Sequence, residues 1–209
     1  MKKIILLILT CQTLLFFQIQ IKAGELKVTT GNLNETYNLK KAYFAGGCFW
    51  CMEDFFEKVH GVEEVISGYS GGKLKNPTYK EVTYDNTGHF ETAKIIYDEG
   101  IIKYKELLNY YWLNIDPFDS AGQFCDKGKS YRSVAFYKNT SEKNEIEDSI
   151  KEIEKKFPLK KVVTFIKKFE KFYQAEKYHQ NYYEKNFINY LLYKKACGRE
   201  KTLKKIWNH

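Results

Sequence analysis

The chain has 209 residues, with 34 Lys and Arg against 26 Asp and Glu, a formal charge of +8 and five cysteines. Hydrophobic residues make up 44% and aromatic ones 17%, which excludes a low-hydrophobicity disordered chain and suits one domain with a sizeable core. Five scattered cysteines are too few for a disulfide scaffold, and with only Arg132 and Arg199 as arginines no nucleic-acid partner is expected; a lysine-rich solvated surface explains the charge.

Lys2 and Lys3 precede a nearly continuous apolar run, Ile4 to Phe17, which turns polar and reaches Ile21-Lys22-Ala23. This is the pattern of a secretory signal peptide, too short and too interrupted for a spanning helix, with an uncleaved anchor as the alternative. Its removal takes Lys2, Lys3 and Lys22 and no acid, lowering the charge to +5. The expected organisation is a signal peptide over 1–23, an extended polar arm over 24–40 and a single folded domain over 41–209.

Ala42 to Ala45 is a short apolar run stopped by Gly46-Gly47, and Phe49, Met52, Phe56 and Val59 then recur at helical spacing. A strand is therefore expected to pass through two glycines into a helix N-terminus, with Cys48 at the junction. Val62 to Tyr69 predicts a strand, and Ser70-Gly71-Gly72 with Asn76-Pro77 predicts a loop. In the next strand Glu91, Ala93, Ile95 and Tyr97 share one face. Ile101 to Ile115 has a helical period ended by Asp116-Pro117. Phe118 to Lys129 has no period and reads as a loop, before a strand from Tyr131 to Tyr137. Ile146, Ile150, Ile153 and Phe157 mark an amphipathic helix. Val162 to Phe169 is strand-like, and the Tyr-rich stretch from Phe172 to Tyr193 predicts a helix. The content is mixed α and β around one core.

The chemistry concentrates at Gly46-Gly47-Cys48-Phe49-Trp50-Cys51. A thiol in the first turn of a helix faces unpaired N–H groups and the positive end of the dipole, both of which favour the nucleophilic thiolate. Three other readings stand beside this one. Cys48 could be a small buried hydrophobe, Cys48 and Cys51 could form a C-x-x-C redox pair, or a zinc ion could recruit them with Cys125 and Cys197. The zinc reading is disfavoured because Cys125 and Cys197 lack paired spacing. Glu91 on an apolar strand face should be desolvated, with a raised pKa suited to a general acid; a strand-end Glu reaching solvent is the alternative.

Gly46-Gly47-Cys48-Phe49-Trp50, Gly68-Tyr69-Ser70-Gly71-Gly72, Asn76-Pro77-Thr78-Tyr79, Thr87-Gly88-His89-Phe90-Glu91, Tyr131-Arg132-Ser133 and Ala175-Glu176-Lys177-Tyr178-His179-Gln180 occur in this order. Together they resemble the peptide methionine sulfoxide reductases of the A type, from about Lys41 to Trp207. The resemblance implies an α+β fold, a two-layer α/β sandwich with a mixed sheet of ferredoxin-like kind and flanking helices. It implies that Cys48 attacks the sulfoxide sulfur, that Phe49 and Trp50 wall a pocket for the substrate methyl group, and that Glu91 protonates the oxygen. Tyr79 and Tyr131 match two tyrosines that hydrogen-bond that oxygen, and Asp126 matches an acid of the substrate pocket. His89, His179 and Glu176 take supporting places.

By the same resemblance the substrate is the S epimer of methionine sulfoxide, free or in proteins. A thioredoxin-like dithiol is the reductant, no cofactor or metal is required, and a monomer is expected. Cys48 would pass through a sulfenic acid to a disulfide. The resolving thiol is where the sequence departs from familiar members: Cys197, Cys51 and Cys125 compete, with Cys197 placed ahead because the family's resolving thiols lie in the C-terminal segment. The leader makes the protein exported, periplasmic or extracytoplasmic. Two rival classes remain, a thioredoxin-like oxidoreductase using Cys48 and Cys51, and a basic exported module binding anionic surfaces.

Overall fold

The computed structural model describes residues 38–208, so the expected signal peptide and most of the expected arm lie outside the described residues. Strand β1 spans Leu39–Ala45, making the last two residues of that arm already strand. Helix α1 (Phe49–Phe56), β2 (Val62–Ser70), α2 (Tyr79–Tyr84), β3 (Phe90–Asp98) and α3 (Tyr104–Leu113) follow. The short strands β4 (Gly122–Gln123) and β5 (Asp126–Lys127), a 3-10 turn (Lys129–Tyr131), β6 (Val134–Tyr137) and α4 (Thr140–Lys156) come next. The chain ends with β7 (Phe165–Lys168), β8 (Phe172–Gln174), α5 (Tyr182–Lys185), α6 (Phe187–Cys197) and α7 (Arg199–Trp207).

The main sheet has the order β7-β6-β1-β3-β2-β8. β3 lies antiparallel between β1 and β2, and β1 lies antiparallel between β3 and β6. Thus β1 and β2 run parallel across one intervening strand, as do β3 and β6. Two interlocked split βαβ units result, the ferredoxin-like arrangement. α4 adds a crossover to β7, the one strand pairing parallel with its neighbour. The fold is α+β, a mixed sheet with flanking helices.

Alternation along the strands assigns the two faces. Ala42 and Phe44 of β1 and Ala93, Ile95 and Tyr97 of β3 join Met52 and Phe56 of α1, Leu107 to Ile115 around α3, Ile146 of α4 and Trp207 of α7 in the main core. Tyr43, Ala45, Val134 and Phe136 face the other way, beneath Phe169 and Phe172. Tyr43 stacks on Phe169 with centroids 3.8 Å apart. Glu91 has the parity of Ala93 and Ile95 and therefore enters the helix-facing layer, at the level where α1 begins.

Two stretches differ from expectation. The 118–129 loop contains the β4–β5 hairpin, a pairing too short to leave a period in the sequence. The Tyr-rich stretch begins as edge strand β8 on β2 and becomes helical only at Tyr182. Its tyrosines are spent on stacking and hydrogen bonds, which periodicity does not register. No helix among the described residues is long and apolar enough to cross a membrane.

Candidate active site

β1 delivers the chain into α1 through Gly46-Gly47. Gly47 has φ +82°, and a Cβ there would lie 2.7 Å from Gln123 Cβ, so the turn requires glycine. Cys48 is the N-cap of α1 but its side chain caps nothing. The first helical N–H, of Phe49, instead donates to Glu91 Oε2 at 3.0 Å. The helix start was expected to favour the Cys48 thiolate, and here its first N–H is taken by the acid instead. Burial, the neighbouring Cys51, and the charges of Glu91 and Asp126 push the Cys48 thiol well above its ordinary pKa.

Glu91 is 1% exposed, and its other oxygen, Oε1, is buried without a hydrogen-bond partner. Burial raises its pKa to about 8, against the smaller opposing effect of the Phe49 N–H. A carboxyl that keeps its proton at neutral pH, with one oxygen unpaired, is a hydrogen-bond donor awaiting an acceptor. Tyr79 and Tyr131 line the same recess, and burial followed by the Glu91 charge raises both phenols, keeping them protonated.

The recess holds about 70 Å³ and is lined by Cys48, Phe49, Trp50, Tyr79, Glu91, Asp126, Tyr131 and Tyr193. That is roughly two water volumes, enough for the head of a side chain and little more. The structure thus brings together every motif residue expected at the site. Phe49 is fully buried and divides its ring between this wall and a small cluster with Tyr69 and Val82. Trp50 stacks on Tyr182 at 3.8 Å, and its Nε1 donates to His179 Nδ1 at 3.1 Å. Desolvation lowers the His179 pKa to about 4, so the ring is neutral and accepts at Nδ1. Glu176 accepts from the Tyr79 N–H at 2.8 Å and the Tyr69 hydroxyl at 2.9 Å, anchoring α2 to β2. His89 accepts from the Gly72 N–H and sits 2.8 Å from the Leu74 carbonyl, a loop brace.

Tyr193 was not legible beforehand. Its hydroxyl donates to Asp126 Oδ2 at 2.6 Å, and its ring meets Trp50 edge-on. It is one of 17 tyrosines in a stretch with no motif to single it out.

The cysteines divide into pairs. Cys125 and Cys197 form a disulfide across 72 residues, with Cα atoms 4.9 Å apart. Cys48 and Cys51 are free, buried and adjacent. Cys51 titrates lower than an ordinary thiol, at about 7, chiefly because the Cys48 thiol acts as a donor toward it, with Arg199 and Tyr190 helping against the cost of burial. Cys125, Asp126 and Cys197 would be the only clustered metal-type donors among the described residues, and the disulfide occupies both sulfurs.

A buried thiol facing a protonated carboxyl and two phenols, with a second thiol one helical turn on, defines a thiol-based oxidoreductase. The family model for peptide methionine sulfoxide reductase matches residues 40–209. A Listeria monocytogenes peptide methionine sulfoxide reductase MsrA is 47% identical over 171 residues, 81% of this chain and 97% of that protein. The MsrA of Bacillus velezensis is 46% identical over 167 residues, 79% of this chain and 94% of its own length. Among solved structures, reduced Mxr1 from Saccharomyces cerevisiae matches with TM-score 0.67 and 29% identity, covering 73% of this chain and 88% of that one. Methionine sulfoxide reductase A of Corynebacterium diphtheriae gives 0.64 and 27%, covering 71% and 75%. The chain belongs to the peptide methionine sulfoxide reductase family, on the MsrA side.

Proposed function

We propose that this protein reduces the S epimer of methionine sulfoxide, free or within oxidised proteins, with Cys48 as nucleophile. The observation that carries this reading is the unpaired, buried Glu91 Oε1 in a recess that also holds the Cys48 thiol. The sulfoxide oxygen is a strong acceptor and satisfies Glu91, Tyr79 and Tyr131 together, while Phe49 and Trp50 receive the methyl group. Cys48 sulfur attacks the sulfoxide sulfur as Glu91 gives its proton to the oxygen, and the Cys48 thiol proton can replace it. The net exchange turns sulfoxide and Cys48 thiol into thioether and Cys48 sulfenic acid. No metal or organic cofactor enters this scheme.

Cys51 then condenses with the sulfenic acid. Its place beside Cys48, and the engagement of Cys197 with Cys125, support Cys51 as the resolving thiol ahead of Cys197. An external dithiol of thioredoxin type restores both thiols by exchange. The leader pattern of residues 1–23 supports an exported enzyme, served by a reductant on that side of the membrane. The test is release of methionine from the two resolved sulfoxide epimers by wild type and Cys48→Ser with dithiothreitol. Turnover of the S epimer by wild type alone is expected, and full activity in Cys48→Ser would sink the reading. Loss of all activity in Cys51→Ser, with no sulfoxide turnover in wild type, would favour the thioredoxin-like class instead.

A further inference from the structure

Arg199 is 3% exposed, yet among the described residues it makes no salt bridge. Its guanidinium bonds only neutral acceptors: the Gly46 carbonyl at 3.3 Å, the Asn114 carbonyl at 2.5 Å and side chain at 3.4 Å, and Met52 Sδ at 3.7 Å. The Phe124 ring lies 4.5 Å away over its face. Phe124 has φ +52°, a conformation costly for a bulky residue, and that conformation belongs to the hairpin that presents the ring. No carboxylate touches Arg199, although Asp126 lies near enough to feel its charge, and a buried cation without a direct ion-pair partner is costly to keep. Arg199 and Cys51 line one cavity of about 260 Å³, behind α1 and separate from the sulfoxide recess.

We infer that Arg199 is a positioning residue for the resolving half of the cycle, holding the Gly46 carbonyl before Cys48 and supplying the counter-charge of the Cys51 thiolate. This rests on Cys51 as the resolving thiol. In the step it serves, the Cys51 thiolate attacks the Cys48 sulfenic sulfur. The S–S bond forms, the S–O bond breaks, and hydroxide leaves to take up a proton as water. Cys51 sulfur is oxidised and Cys48 sulfur is reduced from the sulfenic level.

The other charges around Cys51 do not supply this role. Glu91 and Asp126 face the pair from β3 and β5 and oppose a thiolate. Asp54, on α1 itself, is satisfied by Tyr190, Lys58 and Lys194, and it consumes both lysines. Lys194 also meets Glu200 of α7 at 3.5 Å. Tyr190 and Tyr193 of α6 are held protonated, so they donate but carry no charge. Lys194 also feels Cys51, but it is shared with Asp54 and Glu200; Arg199 is the neighbouring cation that no carboxylate touches.

The test is the pH dependence of iodoacetamide alkylation at Cys51, followed on its own peptide by mass spectrometry in the full chain. Wild type should show a midpoint near 7. Arg199→Met should raise it by about one unit, slowing alkylation about fivefold at pH 7, and Arg199→Lys should restore most of the difference. After one turnover without reductant at pH 7, dimedone trapping should show the sulfenic acid living about fivefold longer in Arg199→Met, while methionine release slows by at most about threefold. Arg199→Gln keeps a donor for the Gly46 carbonyl without the charge and serves if Arg199→Met does not fold. An unshifted midpoint in either folded neutral variant overturns the inference. So does a wild-type midpoint at or above the ordinary thiol value of about 8.5, which needs no variant. Cys51→Ser separates the underlying reading: a Cys48 disulfide to Cys125 or Cys197 there removes Cys51 from resolution, whereas the alkylation profile reports on Arg199 alone.

Discussion

Glu91→Gln separates the acid's chemistry from its cost to the fold. In the unfolded chain the carboxyl titrates near 4.5, and in the native recess at about 8. Between those values the native state holds a proton that the unfolded state has released, so stability falls as pH rises through the window. A gap of about 3.5 units at about 1.36 kcal/mol each sets a ceiling near 5 kcal/mol, and relaxation around the charge should leave at least about 2. Glutamine keeps the shape and pays none of this. Urea unfolding of both proteins at pH 5 and pH 9 should show Glu91→Gln gaining about 2–4 kcal/mol relative to wild type between the two. Glu53 also has a raised pKa, of about 7, but it is present in both proteins and cancels. Sulfoxide reduction by the variant should fall about 10²–10⁴-fold, with reduction of a preformed disulfide much less affected. A stability difference that does not change with pH would refute a native-state proton on Glu91, and equal losses in both half-reactions would remove it as the acid.

Three further outcomes follow from the same geometry. Cys48→Ser should release no methionine, whereas Cys51→Ser should release one equivalent without reductant and keep turning over with dithiothreitol, which resolves the sulfenic acid directly; an inactive Cys51→Ser would contradict this. Tyr79→Phe combined with Tyr131→Phe should lower kcat/KM by more than either alone, each donor being worth about 1–3 kcal/mol where a buried acceptor is left unpaired; unchanged kinetics in the pair would detach both from the oxygen. Replacing both Cys125 and Cys197 by Ser should lower thermal stability by about 2–4 kcal/mol under oxidising conditions, because the bridge closes a long loop. The same double variant should retain methionine release, and loss of release would assign that pair to the reaction itself.

The strands and helices with strong alternation or strong 3.6-residue period were legible: β2, β3, α1, α3 and α4 fall where the pattern puts them. The recess was legible through short motifs, because Cys48, Tyr79, Glu91 and Tyr131 each sit in a distinctive string. What stayed hidden depends on long-range pairing. Cys125 and Cys197 are 72 residues apart and each looks solitary in sequence. Arg199 reads as one more basic residue near a basic end until the fold buries it against Gly46. The state of Cys48 was hidden for a related reason: a helix N-terminus promises a free N–H to the thiol, and only the register of β3 shows that Glu91 reaches it first.

The small volume of the recess bears on which damaged proteins the enzyme serves. Only the last atoms of one side chain fit inside, so the target must enter by its side chain alone. Selection then passes to the client: an oxidised methionine must swing clear of its own surroundings far enough to insert. Segments loosened by the oxidation itself meet that condition, because the added oxygen makes a buried thioether a poor fit where it was.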